Sequence, residues 1–161
     1  MGKTTELRRE IKKLFIPFAE KKGFKSTMQF APQTFDFIKE TDETVFAFDI
    51  QWEKYGRPRF VVNFGKCAKH EVSNLLAIYS AKEINPAITP TKGRLQPKKG
   101  ASTASWFRQD KNFFIKLISP NKNKQAIEVV NQLMELFVEL EQYYINNTIG
   151  EHLDVLSEKS A

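Results

Sequence analysis

The stretch Val45-Phe46-Ala47-Phe48-Asp49-Ile50-Gln51-Trp52-Glu53, followed by Lys54-Tyr55-Gly56-Arg57-Pro58 and then Phe60-Val61-Val62-Asn63-Phe64, decides the fold. Phe46, Phe48, Ile50 and Trp52 alternate with Val45, Ala47, Asp49, Gln51 and Glu53, so every second side chain points to one apolar face. Phe60, Val62 and Phe64 repeat that period. The Lys54–Pro58 stretch between them has turn chemistry. A connection this short cannot make a parallel crossover, so the two strands form an antiparallel hairpin.

Upstream, Phe35 and Phe37 alternate with polar neighbours, and Asp42-Glu43 marks a turn before Thr44. Met28 and Phe30 suggest another short strand. Residues 5–22 read as an amphipathic helix, with Leu7, Ile11, Leu14, Phe15 and Phe18 at spacings of three and four. Thr4 or Thr5 is positioned to cap its start, and Gly23 suits the left-handed residue that ends it. Pro17 has no N–H for the carbonyl of Lys13, which predicts a bend or a shortened helix.

Downstream, Val72, Leu75, Leu76 and Tyr79 have helical spacing. Pro86, Pro90, Gly93, Pro97 and Gly100 make 85–100 read as a long loop. Residues 103–108 and 112–118 read as strands, and Ser119-Pro120-Asn121 breaks the chain. A long helix is predicted over 122–146, with Ile127, Val130, Met134, Phe137, Leu140 and Tyr144 as its apolar stripe. Residues 151–158 read as a short helix or frayed tail. Helices at the two ends and strands between them predict one α+β domain over 1–161: an antiparallel meander with the N-terminal and C-terminal helices on one face. Ten of the 14 Phe residues fall between 15 and 64 and read as the helix–sheet core.

The net charge of +6 is unevenly placed. Segment 92–124 holds nine basic residues (Lys92, Arg94, Lys98, Lys99, Arg108, Lys111, Lys116, Lys122, Lys124) against Asp110, a net +8. Such asymmetry points to an anionic partner, the plainer reading being a solvated lysine-rich surface. One cysteine, Cys67, excludes a disulfide framework and fits a reducing, cytoplasmic setting. No apolar run approaches the ~20 residues of a membrane span. Lys12 and Lys13 interrupt any signal-type core at the N-terminus. No cofactor motif is present: Gly93 to Gly100 lacks the strand–glycine–helix context and the Gly-Lys-Ser/Thr ending of a phosphate loop. Cys67 and His70 fall short of the four ligands of a structural zinc, so no metal site is expected. Asp49 and Glu53 read as solvent-exposed carboxylates on the polar side of a strand.

Several short motifs occur in order: Pro17-Phe18…Gly23-Phe24-Lys25, Phe46-Ala47-Phe48-Asp49-Ile50-Gln51, Phe60-Val61-Val62-Asn63-Phe64-Gly65, Gly93-Arg94-Leu95 and Ser105-Trp106-Phe107, before the long C-terminal helix. Over roughly residues 5–146 this order resembles the bacterial domain-of-unknown-function family 4304, with Trp106-Phe107 standing where that pattern has two tryptophans. The resemblance implies a small α+β domain, brings no catalytic residues, and directs attention to Arg94, Leu95 and Trp106. Their structural reading is a loop pinned to the sheet, with Leu95 buried, Arg94 bonded to backbone carbonyls or a carboxylate, and Trp106 in the core.

The leading functional expectation is a non-enzymatic binding module, of the class that includes immunity proteins. It would take an anionic protein or ligand at Lys92, Arg94, Lys98, Lys99, Trp106 and Arg108. The alternative is nucleic-acid binding through the basic 92–124 surface. An enzyme acting on an acidic or phosphorylated small molecule comes third, and predicts a pocket that holds Arg94 beside a histidine or carboxylate. A homodimer through the sheet face left open by the two helices is a further reading of the same pattern.

Overall fold

A computed structural model of the chain describes residues 2–27, 34–77, 84–99, 105–110 and 125–156. The strands expected at Met28 and Phe30 and over 112–118, the helical position of Tyr79, and the break at 119–121 lie outside these residues.

The N-terminal helix is built in three pieces: α1 (Lys3–Glu10), a π-helical stretch (Ile11–Phe15) and α2 (Ile16–Lys21). Leu7, Ile11, Phe15 and Ala19 are each fully buried. A step of four residues overshoots one α-helical turn by about 40°. The wider π turn rotates the chain back, so all four side chains stay on one line. The π turn ends two residues before Pro17, whose missing N–H interrupts the α-helical bonding and divides the helix. Gly2, not Thr4 or Thr5, is the N-cap, and no side chain caps it. Gly23, at φ +87°, closes α2: its N–H donates to Glu20 O and that of Phe24 to Ala19 O, two bonds that satisfy the last carbonyls.

Then come β1 (Lys25–Ser26), β2 (Thr34–Glu40), β3 (Thr44–Trp52) and β4 (Arg59–Ala68), each antiparallel to its predecessor. α3 (Lys69–Leu76) starts directly after β4, where the Glu71 carboxylate accepts the Ala68 N–H at 2.8 Å. β5 (Thr91–Leu95) runs beside β4, and β6 (Phe107–Arg108) continues along the same edge of β4. α4 (Ala126–Asn146) ends at Asn147, whose φ of 61° is left-handed. β7 (Leu153–Leu156) then pairs with β5. Among the described residues the sheet has seven antiparallel strands in the order β1-β2-β3-β4-β5-β7, with β6 on β4.

Two expectations are corrected here. Residues 91–95 are a strand rather than part of a long loop, and 153–156 are a strand rather than a helix or frayed tail. Both pair only with strands distant in the chain, β5 between β4 and β7 and β7 at the sheet edge, and Gly93, which argues for a loop locally, sits where the β7 backbone and the Phe64 ring crowd it. A Cβ there would lie 2.5 Å from Asp154 O and 2.6 Å from the Phe64 ring.

The α1–α2 unit and α4 cover one face of the sheet, as expected. Phe48 lies at the centre of this core, stacked on Phe37 at 4.4 Å and edge-on to Phe15, Phe24 and Phe137. α4 buries Val129, Val130, Leu133, Phe137, Leu140, Tyr143 and Tyr144. Ile127, expected in the stripe, is 44% exposed. The second face is not left open along its whole length. α3 and the loop around 84–90 cover one end, where Val45, Cys67, Val72 and Ile84 form a small separate core.

Candidate functional site

Because strand side chains alternate, the register that aligns Phe37, Phe48, Phe64, Gly93 and Val155 on the helix face aligns their neighbours on the other. That second row is Asp36, Asp49, Asn63, Arg94 and Asp154, one residue from each of five adjacent strands. It forms the floor of a cavity of about 620 Å³, within the range of small-molecule sites. Thr34, Gln51 and Lys92 extend the floor, Ile84, Asn85, Pro86 and Ala87 make the wall beside it, and Leu156, the register partner of Lys92, also lines it.

The wall is held in place by a close approach. Thr89 is buried and its hydroxyl donates to Pro86 O at 2.9 Å and lies 3.1 Å from Thr91 O. It sits directly over Gly65, where any Cβ would collide with the Thr89 hydroxyl and lie 2.9 Å from Thr91 O. The absence of a side chain at Gly65 thus seats the 84–90 loop on the sheet beside the polar row.

A hydrogen-bond chain crosses the floor. Arg94 Nε donates to Asn63 Oδ1 at 3.0 Å. Asn63 Nδ2 donates to Asp49 Oδ1 at 2.8 Å and to Gln51 Oε1 at 3.1 Å. At the β2 end Thr34 Oγ1 donates to Asp36 Oδ2 at 3.2 Å. At the β7 end Gln96 Nε2 reaches Asp154 Oδ2 at 3.4 Å. Asp36 and Asp49 face each other directly across β2 and β3. Burial raises the Asp49 carboxyl to about 7; the Asn63 hydrogen bond opposes the rise, the charge of Asp36 adds to it, and Arg94 lowers it. Burial also raises Asp36, with the Thr34 hydroxyl acting against it. Asp49 therefore exchanges a proton near neutral pH, the chemical capacity of a general acid or base in a cleft.

The six residues expected at a binding site divide into two groups. Lys92 and Arg94 both line the cavity from β5. The other four lie elsewhere: Lys99 pairs with Glu151, Arg108 Nε donates to Asp110, Lys98 is exposed, and Trp106 packs under the Arg59 guanidinium at 4.8 Å. Trp106 is half-buried rather than in the core, and Arg94 is bonded to a side-chain amide rather than to a backbone carbonyl or carboxylate. Leu95 is fully buried, as expected. Lys111, Lys116, Lys122 and Lys124 lie outside the described residues.

Asp36, Asn63 and Asp154 were not legible as site residues from sequence, and Asp49 is corrected from exposed to half-buried and hydrogen-bonded. The available signal was Asn63, a polar side chain amid Val61, Val62, Phe64 and Gly65, where both faces of the strand otherwise read apolar. Cys67 lies in the small core, and the ring of His152 is held by Glu139 at 2.6 Å; neither lines the cavity. Among the described residues no group of three or more His, Cys, Asp or Glu is placed to hold a metal ion, and no helix is long and apolar enough to cross a membrane. No protein-family model, curated protein or solved structure matches the chain.

Proposed function

We propose that the protein is a binding module whose ligand is a small polar molecule seated in the cavity between the sheet and the 84–87 wall, with an anionic group on Arg94 and Lys92. The observation that carries this reading is the state of Arg94. Its Nε is occupied by Asn63, which fixes the guanidinium plane, while its two terminal nitrogens donate to no described group. A guanidinium braced at Nε and open at its outer edge is arranged for bidentate contact with a carboxylate or phosphate. Lys92, two residues earlier on the same strand face, adds a second cation.

Binding is favoured over catalysis because no described nucleophile–base pair faces the cavity. The nucleic-acid reading has less support, since Lys99, Arg108 and Trp106 already have partners and stand apart from Arg94. Cys67, buried and unpaired, supports a reducing, cytoplasmic setting. The resemblance to the family of unknown function rests on motif order and adds no residue role.

The test is an NMR titration of labelled protein with acetate, succinate and inorganic phosphate. Shifts at the Arg94 Nε–H and the Asn63 amide are expected, with affinity at least tenfold weaker in Arg94→Gln and unchanged in Lys98→Glu/Lys99→Glu. Shifts confined to Lys98, Lys99 and Arg108 would overturn the cavity reading in favour of the basic surface. Silence of the cavity residues toward all three anions would overturn it outright.

A further inference from the structure

Resting on that reading of the cavity, we infer that its ligand is amphoteric: the molecule that sets a carboxylate or phosphate on Arg94 and Lys92 sets a protonated amine on Asp36 and Asp49. From β2 to β5 the floor is polarised along the strand order, and Asp154 of β7 sets a further carboxylate, bonded to Gln96, beside Arg94. Carboxylates occupy β2 and β3, an uncharged amide occupies β4, and cations occupy β5. The Asn63 amide is aligned with this polarity, its NH2 turned to Asp49 and its carbonyl turned to Arg94. Strands lie about 4.8 Å apart, so the Asp49 and Arg94 backbones stand about 10 Å from each other. Both side chains reach the one amide between them, which brings the opposite charges within the length of a short hydrocarbon chain.

The acidic end has unused acceptor capacity. An ionised carboxylate offers about four lone-pair sites. Asp49 receives Asn63 alone and Asp36 receives Thr34 alone among described side chains. Two carboxyls directly opposite each other repel when both are ionised, and a single ammonium with its three donors relieves that repulsion while satisfying both. Ile84, Pro86 and Leu156 supply apolar surface beside the row for the hydrocarbon part of such a molecule.

Charge balance implies that binding moves a proton. Asp49 faces Asp36 from β2, Asn63 from β4, Lys92 and Arg94 from β5, and the uncharged Asn85 from the wall; Asp154 lies beyond Arg94 on β7, and Tyr144 of α4 interacts electrostatically with Asp49 from the other side of the sheet. Of these, Asp36 favours keeping the proton and Arg94 favours losing it. A ligand ammonium adds a cation at the acidic end, so the bound state holds Asp49 ionised and releases the proton that the empty site carries near pH 7.

Calorimetric titration with glycine, 4-aminobutanoate and 6-aminohexanoate tests this, with butanoate and butylamine as single-charge controls. It is run in two buffers of different protonation enthalpy. At least one amino acid is expected to bind tenfold more tightly than either control. Its apparent heat should differ between buffers at pH 7, and that difference should vanish at pH 9 and in Asp49→Asn. Asp36→Asn, which keeps Asp49, should lower the preference for the amino acid at least threefold. Butanoate binding as well as every amino acid would overturn the amphoteric ligand while leaving the anion site standing. Failure of all five probes to bind would overturn the amphoteric ligand and the cavity reading together. Binding of calcium or magnesium alone at Asp36 and Asp49, with no amino-acid binding, would overturn the amine in favour of a metal cation.

Discussion

Asn63 and Asp49 are register partners on adjacent strands, and the Asn63 amide donates to Asp49 Oδ1 at 2.8 Å while its carbonyl oxygen accepts from Arg94 Nε at 3.0 Å. One neutral side chain therefore stands between a carboxyl and a guanidinium and bonds to both. Both charged groups retain unpaired atoms as a result, which is the condition for each to receive a ligand.

The elevation of Asp49 to about 7 makes stability depend on pH. The folded protein holds this proton to higher pH than the unfolded chain does. Between about pH 4 and pH 7 the unfolded state ionises first, so stability falls as pH rises, and levels off above 7. Asp49→Asn removes that penalty. Partial exposure reduces the full linkage value, so a gain of roughly 1–3 kcal/mol at pH 8 is expected, shrinking toward zero at pH 4. Urea unfolding of both proteins at the two pH values measures it; a gain equal at both would refute the assignment.

Gly65 determines how the 84–90 loop seats on the sheet. Gly65→Ala places a methyl against the Thr89 hydroxyl and Thr91 O, so the loop must lift. Overpacking of this kind costs about 1–3 kcal/mol. Cys67, two residues further along the same strand face, is 3% exposed, and burial holds its thiol above the ordinary range. Its reaction with a thiol reagent should be slow in the wild type and at least tenfold faster in Gly65→Ala. Equal rates would mean that the loop does not depend on this contact.

Phe48 touches β2, α1–α2 and α4 through Phe37, Phe15, Phe24 and Phe137. Phe48→Ala is expected to destabilise by about 3–5 kcal/mol, the range for deleting a buried aromatic ring. It should act on the whole transition in denaturant, because the ring joins every layer of the core. A loss below about 1 kcal/mol would show that the neighbouring rings collapse into the space.

The sheet and its helices were legible because their signals are local. The period-two run over 45–53, the turn at 54–58 and the stripe from Val130 to Tyr144 each lie within one element. Residues 91–95 and 153–156 do not read as strands because Gly93 and the short Leu153–Leu156 segment carry no local strand signature; each is a strand only because β4 and β5 respectively present an edge to it. The charge pattern led to Lys92 and Arg94, and grouped with them cations that the fold sends to Glu151 and Asp110.

By itself the sequence determined the α+β architecture, the apolar face of each long element and the excess of cations between 92 and 124. Only the tertiary structure decided the site. Asp36, Asp49, Asn63, Arg94 and Asp154 are spread over more than a hundred positions and meet because five strands adopt one register, and a shift of one residue in any strand would turn its member of the row to the helix face. Register is set by the packing of phenylalanines on the opposite side of the sheet, so the polar row is positioned by side chains that point away from it.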